Sequence, residues 1–444
     1  MSPVRLPLLL LFAALACSRV TGGNRQPVPR PDSCCSAQAL ANGKRIADEY
    51  RVEALAVRRF TYRDFWRAVA DAVNDPVFQN EEIGRSVLGR SIRAITFGTG
   101  PTRVLLWSQM HGDESTATMA LADIIRYLAE GKGDPLRERL RRELTIVFVP
   151  MLNPDGAELW QRENAAGIDI NRDARRLATP EGQALKRIRD RLRPAFGFNL
   201  HDQNARTRAG GDGPAAAIAL LAPAYNTARD YNEVRTRARL VAASVAQTLK
   251  REIPRRIAKY NDSFTPRAFG DLMQKWGTST VLIESGALPD DPQKQRLRKL
   301  NVAGLLVALD AIATGTYSDA DTTWYEDLPD NSGGAVDLLV TGGLLVLPGV
   351  RDPVPADLAI NYEDAVAHTG PRIRDAGDLR ETIAIDTIDA RGLYLHPGRG
   401  ALSAGPGGVW LRIGAPAEID IRKGSALTSP LVRRLGPGAL PEER

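Results

Sequence analysis

The stretch from Arg103 to Glu114 constrains the fold more than any other. Its apolar run, Val104 to Ser108, carries no polar alternation and is followed at once by His111-Gly112-Asp113-Glu114. A strand without alternation is buried on both faces, which places it inside a parallel or mixed sheet covered by helices. A buried strand rarely terminates in ionisable groups without reason, because an unpaired charge is costly to bury. Three later apolar runs end in the same way. Leu144 to Val149 leads into Asn153-Pro154-Asp155-Gly156, Phe196 to Leu200 into His201, and Thr280 to Ile283 into Glu284. In open α/β sheets, sites form beyond the carboxyl ends of the strands, so His111, Glu114, Asn153, His201 and Glu284 are expected to converge there.

Helical patterns separate these runs. Leu121, Ile124, Ile125 and Leu128 recur at i, i+3, i+4 and i+7, the apolar stripe of a helix lying on the sheet. Thr179 is placed to cap a helix with Pro180 at its first position and Leu185, Ile188 and Leu192 facing inward. Tyr231 to Arg251 and Leu297 to Ile312 read as further helices, and Thr61 to Phe78 as an earlier one. Ile83 to Phe97 reads as an edge hairpin. The expected fold class is therefore α/β, a mixed and largely parallel sheet with helices on both faces. After the polar segment Thr314 to Asp330 the pattern turns to short strands. Val336 to Val340 and Leu344 to Leu347 flank Gly342-Gly343 as a hairpin, and others lie near Thr382 to Ile388, Gly408 to Ile413 and Ala417 to Ile421. These imply a small C-terminal all-β domain, with His368 and His396 in turns or on its surface.

With 444 residues and 43% apolar composition the chain can bury a full core. The net charge of +6 comes from scattered arginines rather than a basic block, and no nucleic-acid-binding pattern is present. Arg5, the apolar Leu6 to Leu15 and Ala14-Leu15-Ala16 form an export signal, so the chain is expected to be periplasmic or secreted. Cys17 follows the cleavage site directly and leaves a lipoprotein anchor open, although Ala14 stands where such signals usually carry leucine. Cys34 and Cys35 are adjacent and imply no disulfide framework. The expected plan is a signal peptide over 1–16, a polar tether over 17–45, a catalytic domain over 46–314, a linker over 315–332 and a β-rich domain over 333–444.

Catalytic zinc takes three protein ligands and keeps one position open, and two of the ligands commonly share a short segment. His111 and Glu114 fit that segment, and His201 suits the third place. Singly, each has a plainer reading as a solvated or structural group; together, at successive strand ends, they point to a metal site. Asn171 and Arg172 are able to hold a carboxylate between an amide donor and a planar fork. Arg162 is able to face a developing oxyanion. For these arginines a surface ion pair with Asp169 or Asp173 is the alternative.

The motifs His111-Gly112-Asp113-Glu114, Asn153-Pro154-Asp155-Gly156, Asn171-Arg172, Asn199-Leu200-His201 and Val281-Leu282-Ile283-Glu284 occur in the order found in zinc metallocarboxypeptidases, and Gly84 to Thr314 resembles that family. The resemblance implies a metallocarboxypeptidase-like fold with one zinc ion held by His111, Glu114 and His201. It further implies that Glu284 is the general base, that Arg162 stabilises the oxyanion, and that Asn171 and Arg172 anchor the C-terminal carboxylate of a peptide or protein. Tyr260 matches a mobile tyrosine of the family by its distance before Glu284. The implied reaction is hydrolysis of a C-terminal peptide bond by a zinc-activated water. Two departures are visible. Asp113 replaces an arginine and Gln203 a tyrosine of the digestive members, so substrate preference does not transfer. Competing readings are a zinc amidase or deacylase acting on cell-wall peptides or acylated amino acids, and a catalytically silent binding protein.

Overall fold

Eight strands form the central sheet of the computed structural model, which describes residues 34–436. They are β1 (Phe78–Arg85), β2 (Ser91–Phe97), β3 (Thr102–Ser108), β4 (Leu144–Val149), β5 (Phe196–Asp202), β6 (Ile218–Leu221), β7 (Ile257–Lys259) and β8 (Ser279–Ser285). Their spatial order is β1-β2-β4-β3-β5-β8-β6-β7. The central strands β4, β3, β5 and β8 run parallel, while β1 and β2 form an antiparallel edge hairpin and β6 is antiparallel to β8. The missing polar alternation of β3 is explained by its neighbours. Val104 and Leu106 pack in one apolar cluster with Leu121, Ile125 and Leu128, whereas Leu105 and Trp107 pack in the other with Leu185, Ile188 and Phe269. The helix Pro180–Leu192 starts as expected, with the Thr179 hydroxyl accepting from the Gly182 amide at 3.1 Å.

Several boundaries differ from the sequence expectation. The tether expected over 17–45 contains most of a helix, Cys34–Glu49, whose Leu40, Ile46 and Ala47 are buried. It packs on the helix Gln295–Thr314 through small residues: a Cβ on Gly43 would lie 2.8 Å from the Ala303 Cα. Close backbone approach, not a broad apolar stripe, docks this helix, so apolar periodicity did not reveal it. The helix expected from Thr61 to Phe78 is two pieces, Tyr62–Ala68 and Ala70–Val73, and Phe78 belongs to β1, where its ring lies 5.7 Å from Phe97. The 315–332 segment, expected to be a linker, has short helical turns, and its Tyr325 and Leu328 are buried. The Tyr325 hydroxyl accepts from the Ala222 amide at 3.1 Å, which ties the segment to the first sheet.

The C-terminal region forms a second, seven-stranded sheet. Gly342-Gly343 does not turn a hairpin. It sits within one strand, Val336–Leu345, as a bulge at which the register against Val354–Asp364 shifts, with Gly342 at φ 69°. His368 does lie in a turn, stacked on Tyr362 at 5.0 Å, but His396 is buried on the strand Tyr394–Pro397 and its Nε2 lies 3.0 Å from the Gly424 carbonyl. The two regions are joined by Arg206, which donates to Asp337 Oδ2 and the Tyr362 carbonyl, both at 2.7 Å, and by the Arg58–Asp364 pair. The segment expected to be an export signal, and Cys17, lie outside the described residues, among which no helix is long and apolar enough to cross a membrane.

A buried ion pair secures the first helices to the core. Arg298 pairs with Asp123 and donates to the carbonyls of Leu55 (2.8 Å) and Val52 (3.0 Å), while Asp123 Oδ1 accepts from the Val52 amide at 2.8 Å. Removing one partner leaves the other charge buried and unpaired. Arg298→Met is expected to destabilise the fold by about 3–5 kcal/mol, measured by urea unfolding.

Candidate metal centre

The turn after β3 is shaped by glycine. A Cβ on Gly112 would fall 1.9 Å from the Gly156 carbonyl carbon, so the His-Gly-Asp-Glu turn packs backbone to backbone on the Asn-Pro-Asp-Gly turn. That second turn is a helix start. Asn153 caps Pro154–Leu159 by accepting from the Gly156 amide at 2.9 Å. Asp155 is fully buried and accepts from Ser86 Oγ, the Leu88 amide and Arg90. Asn153 therefore does not join the cluster of charged groups; its Nδ2 donates to the Arg162 carbonyl at 3.3 Å and helps fix that residue.

His111, Glu114 and His201 come together as a buried group whose ligand atoms all lie within 4.8 Å of one another. Each oxygen of Glu114 faces an imidazole: Oε1 is 2.7 Å from His111 Nδ1 and Oε2 is 2.7 Å from His201 Nδ1. The two Nδ1 atoms are 3.1 Å apart. Parallel pairing of β5 with β8 sets His201 opposite Glu284, which is 8% exposed. Two imidazole nitrogens and a carboxylate gathered in a buried site form the donor set that suits zinc, and the residues present fit that ion. His111 Nε2 lies 3.1 Å from Asp169 Oδ1, an outer carboxylate of the kind that orients a ligating imidazole.

The electrostatics follow from burial and crowding. Burial opposes the charged form of Glu114, but His111 and His201 on either side outweigh it and hold the carboxyl below its usual range. Burial likewise opposes charge on His111, yet Glu114 and Asp169 raise it to about 9. His201 is lowered by burial. Glu284 is raised well above its ordinary value, first by burial and then by the negative charge of Glu114. Asp113 is also raised by burial and by Glu114, and its Oδ1 has no hydrogen-bond partner.

Arg162 reaches the cluster. Its NH1 is 3.0 Å from His111 Nδ1 and 3.3 Å from Glu114 Oε1, and its Nε and NH2 donate to Asp169 Oδ2. The alternative ion pair with Asp169 is thus real, and it coexists with contact to the site. Asn171 lies against His201, Nδ2 to Nε2 at 3.5 Å, while its Oδ1 accepts from the Phe269 amide at 2.9 Å. Arg172 is exposed, donates to the Asn171 carbonyl at 2.9 Å and forms no ion pair among the described residues. Tyr260 is half-buried, and burial followed by the charge of Glu284 raises its hydroxyl. Both Gln203 side-chain polar atoms are buried without partners. Asp169 and Asp202 were not singled out as site residues in the sequence; Asp202 directly follows a strand-end histidine, and that adjacency was the available signal.

The zinc carboxypeptidase family model matches residues 62–208, a span holding His111, Glu114, Arg162, Asn171, Arg172 and His201, with Tyr260 and Glu284 beyond it. Among curated relatives, carboxypeptidase SOL1 of Arabidopsis thaliana is 30% identical over 98 residues, covering 20% of this chain and 20% of that protein. Carboxypeptidase D of Homo sapiens is 32% identical over 108 residues, covering 20% of this chain and 8% of that protein. The chain therefore spans about a fifth or less of the length of these relatives. Among solved structures, a metallo-carboxypeptidase from Burkholderia cenocepacia aligns at 19% identity and TM-score 0.48 over 59% of this chain and 71% of that one. Carboxypeptidase A from Helicoverpa armigera aligns at 17% identity and TM-score 0.47 over 63% and 80%.

Asp271 lies on the short helix Phe269–Lys275, whose first amide is bonded to Asn171. It is 9% exposed, accepts from the Thr265 amide at 2.7 Å and is pushed by burial up to about 6. A carboxyl with a higher pKa folded than unfolded binds more protons in the folded state between the two values. Its contribution to stability is therefore greatest below about pH 4 and is lost as the pH rises through about 6. Asp271→Asn, which keeps the acceptor for Thr265, is expected to remove a loss on the order of 2 kcal/mol from the wild-type stability profile over that window, measured by urea unfolding at successive pH values.

Proposed function

We propose that this chain is a zinc-dependent carboxypeptidase that hydrolyses the C-terminal peptide bond of peptides or proteins. The observation that carries this reading is the buried His111–Glu114–His201 group with Glu284 paired in register beside His201 and an unpaired Arg172 close by. The family match over 62–208 supports it.

His111, Glu114 and His201 would hold the metal. Zinc bound there would supply Lewis acidity and lower the pKa of a water. Glu284, buried and in register with His201, accepts a proton from the attacking water and returns it to the leaving amine as the C–N bond breaks. Arg162, held by Asp169 and the Asn153–Arg162 contact, faces the negative charge that develops on the scissile carbonyl. Arg172, which has no ion-pair partner among the described residues, grips the substrate's terminal carboxylate, with Asn171 beside it and Tyr260 as a further contact to the substrate.

Glu284→Gln keeps the shape of the site and removes the proton acceptor. It is expected to lower kcat by roughly 10²–10⁴-fold while retaining stoichiometric zinc by atomic absorption; normal turnover in that variant would refute the assignment. A peptide with an amidated C-terminus offers Arg172 no carboxylate. Its cleavage is expected to be at least about 100-fold slower in kcat/KM than that of the free acid, and equal rates would favour an amidase or deacylase instead.

A further inference from the structure

Behind the metal centre lies a buried charge that the proposed mechanism does not use. Lys294 has a side chain 5% exposed and a backbone at φ 53°, ψ 29°, a left-handed conformation rarely adopted by residues with a Cβ. Its Nζ donates to Asp202 Oδ2 at 2.9 Å and to the Ser285 carbonyl at 3.4 Å. The same Asp202 oxygen accepts from the Thr116 hydroxyl at 2.6 Å, and the Asp202 amide donates to Glu114 Oε2 at 3.1 Å.

The chain positions of these partners are informative. Asp202 follows His201, Ser285 follows Glu284, and Thr116 lies two residues after Glu114. One ammonium thus ties together the residues next to both later strand-end groups. Through Asp202 it also holds the oxygen of Glu114 that faces His201. A pair serving only to hold the core together need not have its contacts concentrated there.

We propose that Lys294 is a positioning residue: acting through Asp202, it fixes the Glu114 carboxylate and the end of β8 that carries Glu284. This rests on the metal reading above. Outer partners of metal ligands commonly tune affinity 10- to 100-fold.

Asp202→Asn/Lys294→Met replaces both charges at once, so neither is left buried alone, and the fold is expected to survive as judged by circular dichroism and thermal unfolding. In the full chain its zinc affinity, measured by competition with a chromogenic chelator, should fall about 10- to 100-fold. At saturating zinc, kcat on a free-acid peptide should fall at least about tenfold with KM within about threefold, a split expected of lost alignment rather than lost substrate binding. Wild-type zinc affinity and kcat in a folded double variant would overturn the proposal. Thr116→Val deletes a single hydroxyl from the same cluster and decides the matter should the double variant not fold. It is expected to weaken zinc binding about fivefold, and unchanged binding overturns the proposal. Wild-type protein that binds no zinc would remove the metal reading itself and this inference with it, an outcome distinct from zinc-replete variants that behave normally.

Discussion

Glu114 divides its carboxylate between two imidazoles, and much of the surrounding structure serves that contact. A carboxylate taken out of water is unstable unless it is paired and hydrogen-bonded. Here both oxygens are used, Oε1 by His111 and Arg162, Oε2 by His201 and the Asp202 amide. The partners come from three parts of the chain, with His201 and Asp202 both at the end of β5, so the contact forms only when β3, β5 and the Arg162 loop are in place together. Burial, together with this concentration of negative charge, also acts on its neighbour: Glu284, on the adjacent strand, is raised well above the usual carboxylate range.

Placement of these groups comes from backbone geometry more than from side-chain packing. Parallel register across β3, β5 and β8 sets Ser108 beside Leu200 and His201 beside Glu284, so the candidate site residues arise at the same ends of adjacent strands. Gly112 on Gly156 brings the two loops into direct backbone contact, closer than any side chain would allow. The second sheet is tied in at the margins of this arrangement. Arg206, five residues after His201, reaches Asp337, and Arg58, whose carbonyl accepts from the Ser115 hydroxyl beside Glu114, pairs with Asp364.

The strands that deliver the site were legible in the sequence because both of their faces are buried, which leaves uninterrupted apolar runs such as Val104 to Ser108. The candidate ligands His111, Glu114 and His201 stood out for the related reason that ionisable residues stand at or just beyond the ends of those runs, and the structure brings these three together. What went unread had no such mark. The Cys34–Glu49 helix docks through Gly43 against Ala303 and so lacks a wide apolar stripe, and Gly342-Gly343 carries the same composition whether it makes a turn or a bulge. His396 was expected near the surface because a single histidine carries no periodicity; pairing on the inner strand Tyr394–Pro397 buries it.

By itself the sequence determined that apolar strands would be buried within an α/β sheet, that His111, Glu114, His201 and Glu284 would stand at their ends, and that a β-rich region would follow. Local pattern suffices there, since burial on two faces and helical periodicity act within a few residues. Only the tertiary structure decided that Arg162 bridges Glu114 and Asp169, that Asn153 is a helix cap rather than part of the charged cluster, and that Lys294 reaches Asp202 and Ser285. Those contacts join residues far apart in the chain, and their energies depend on distances and desolvation that arise only once the sheet has assembled.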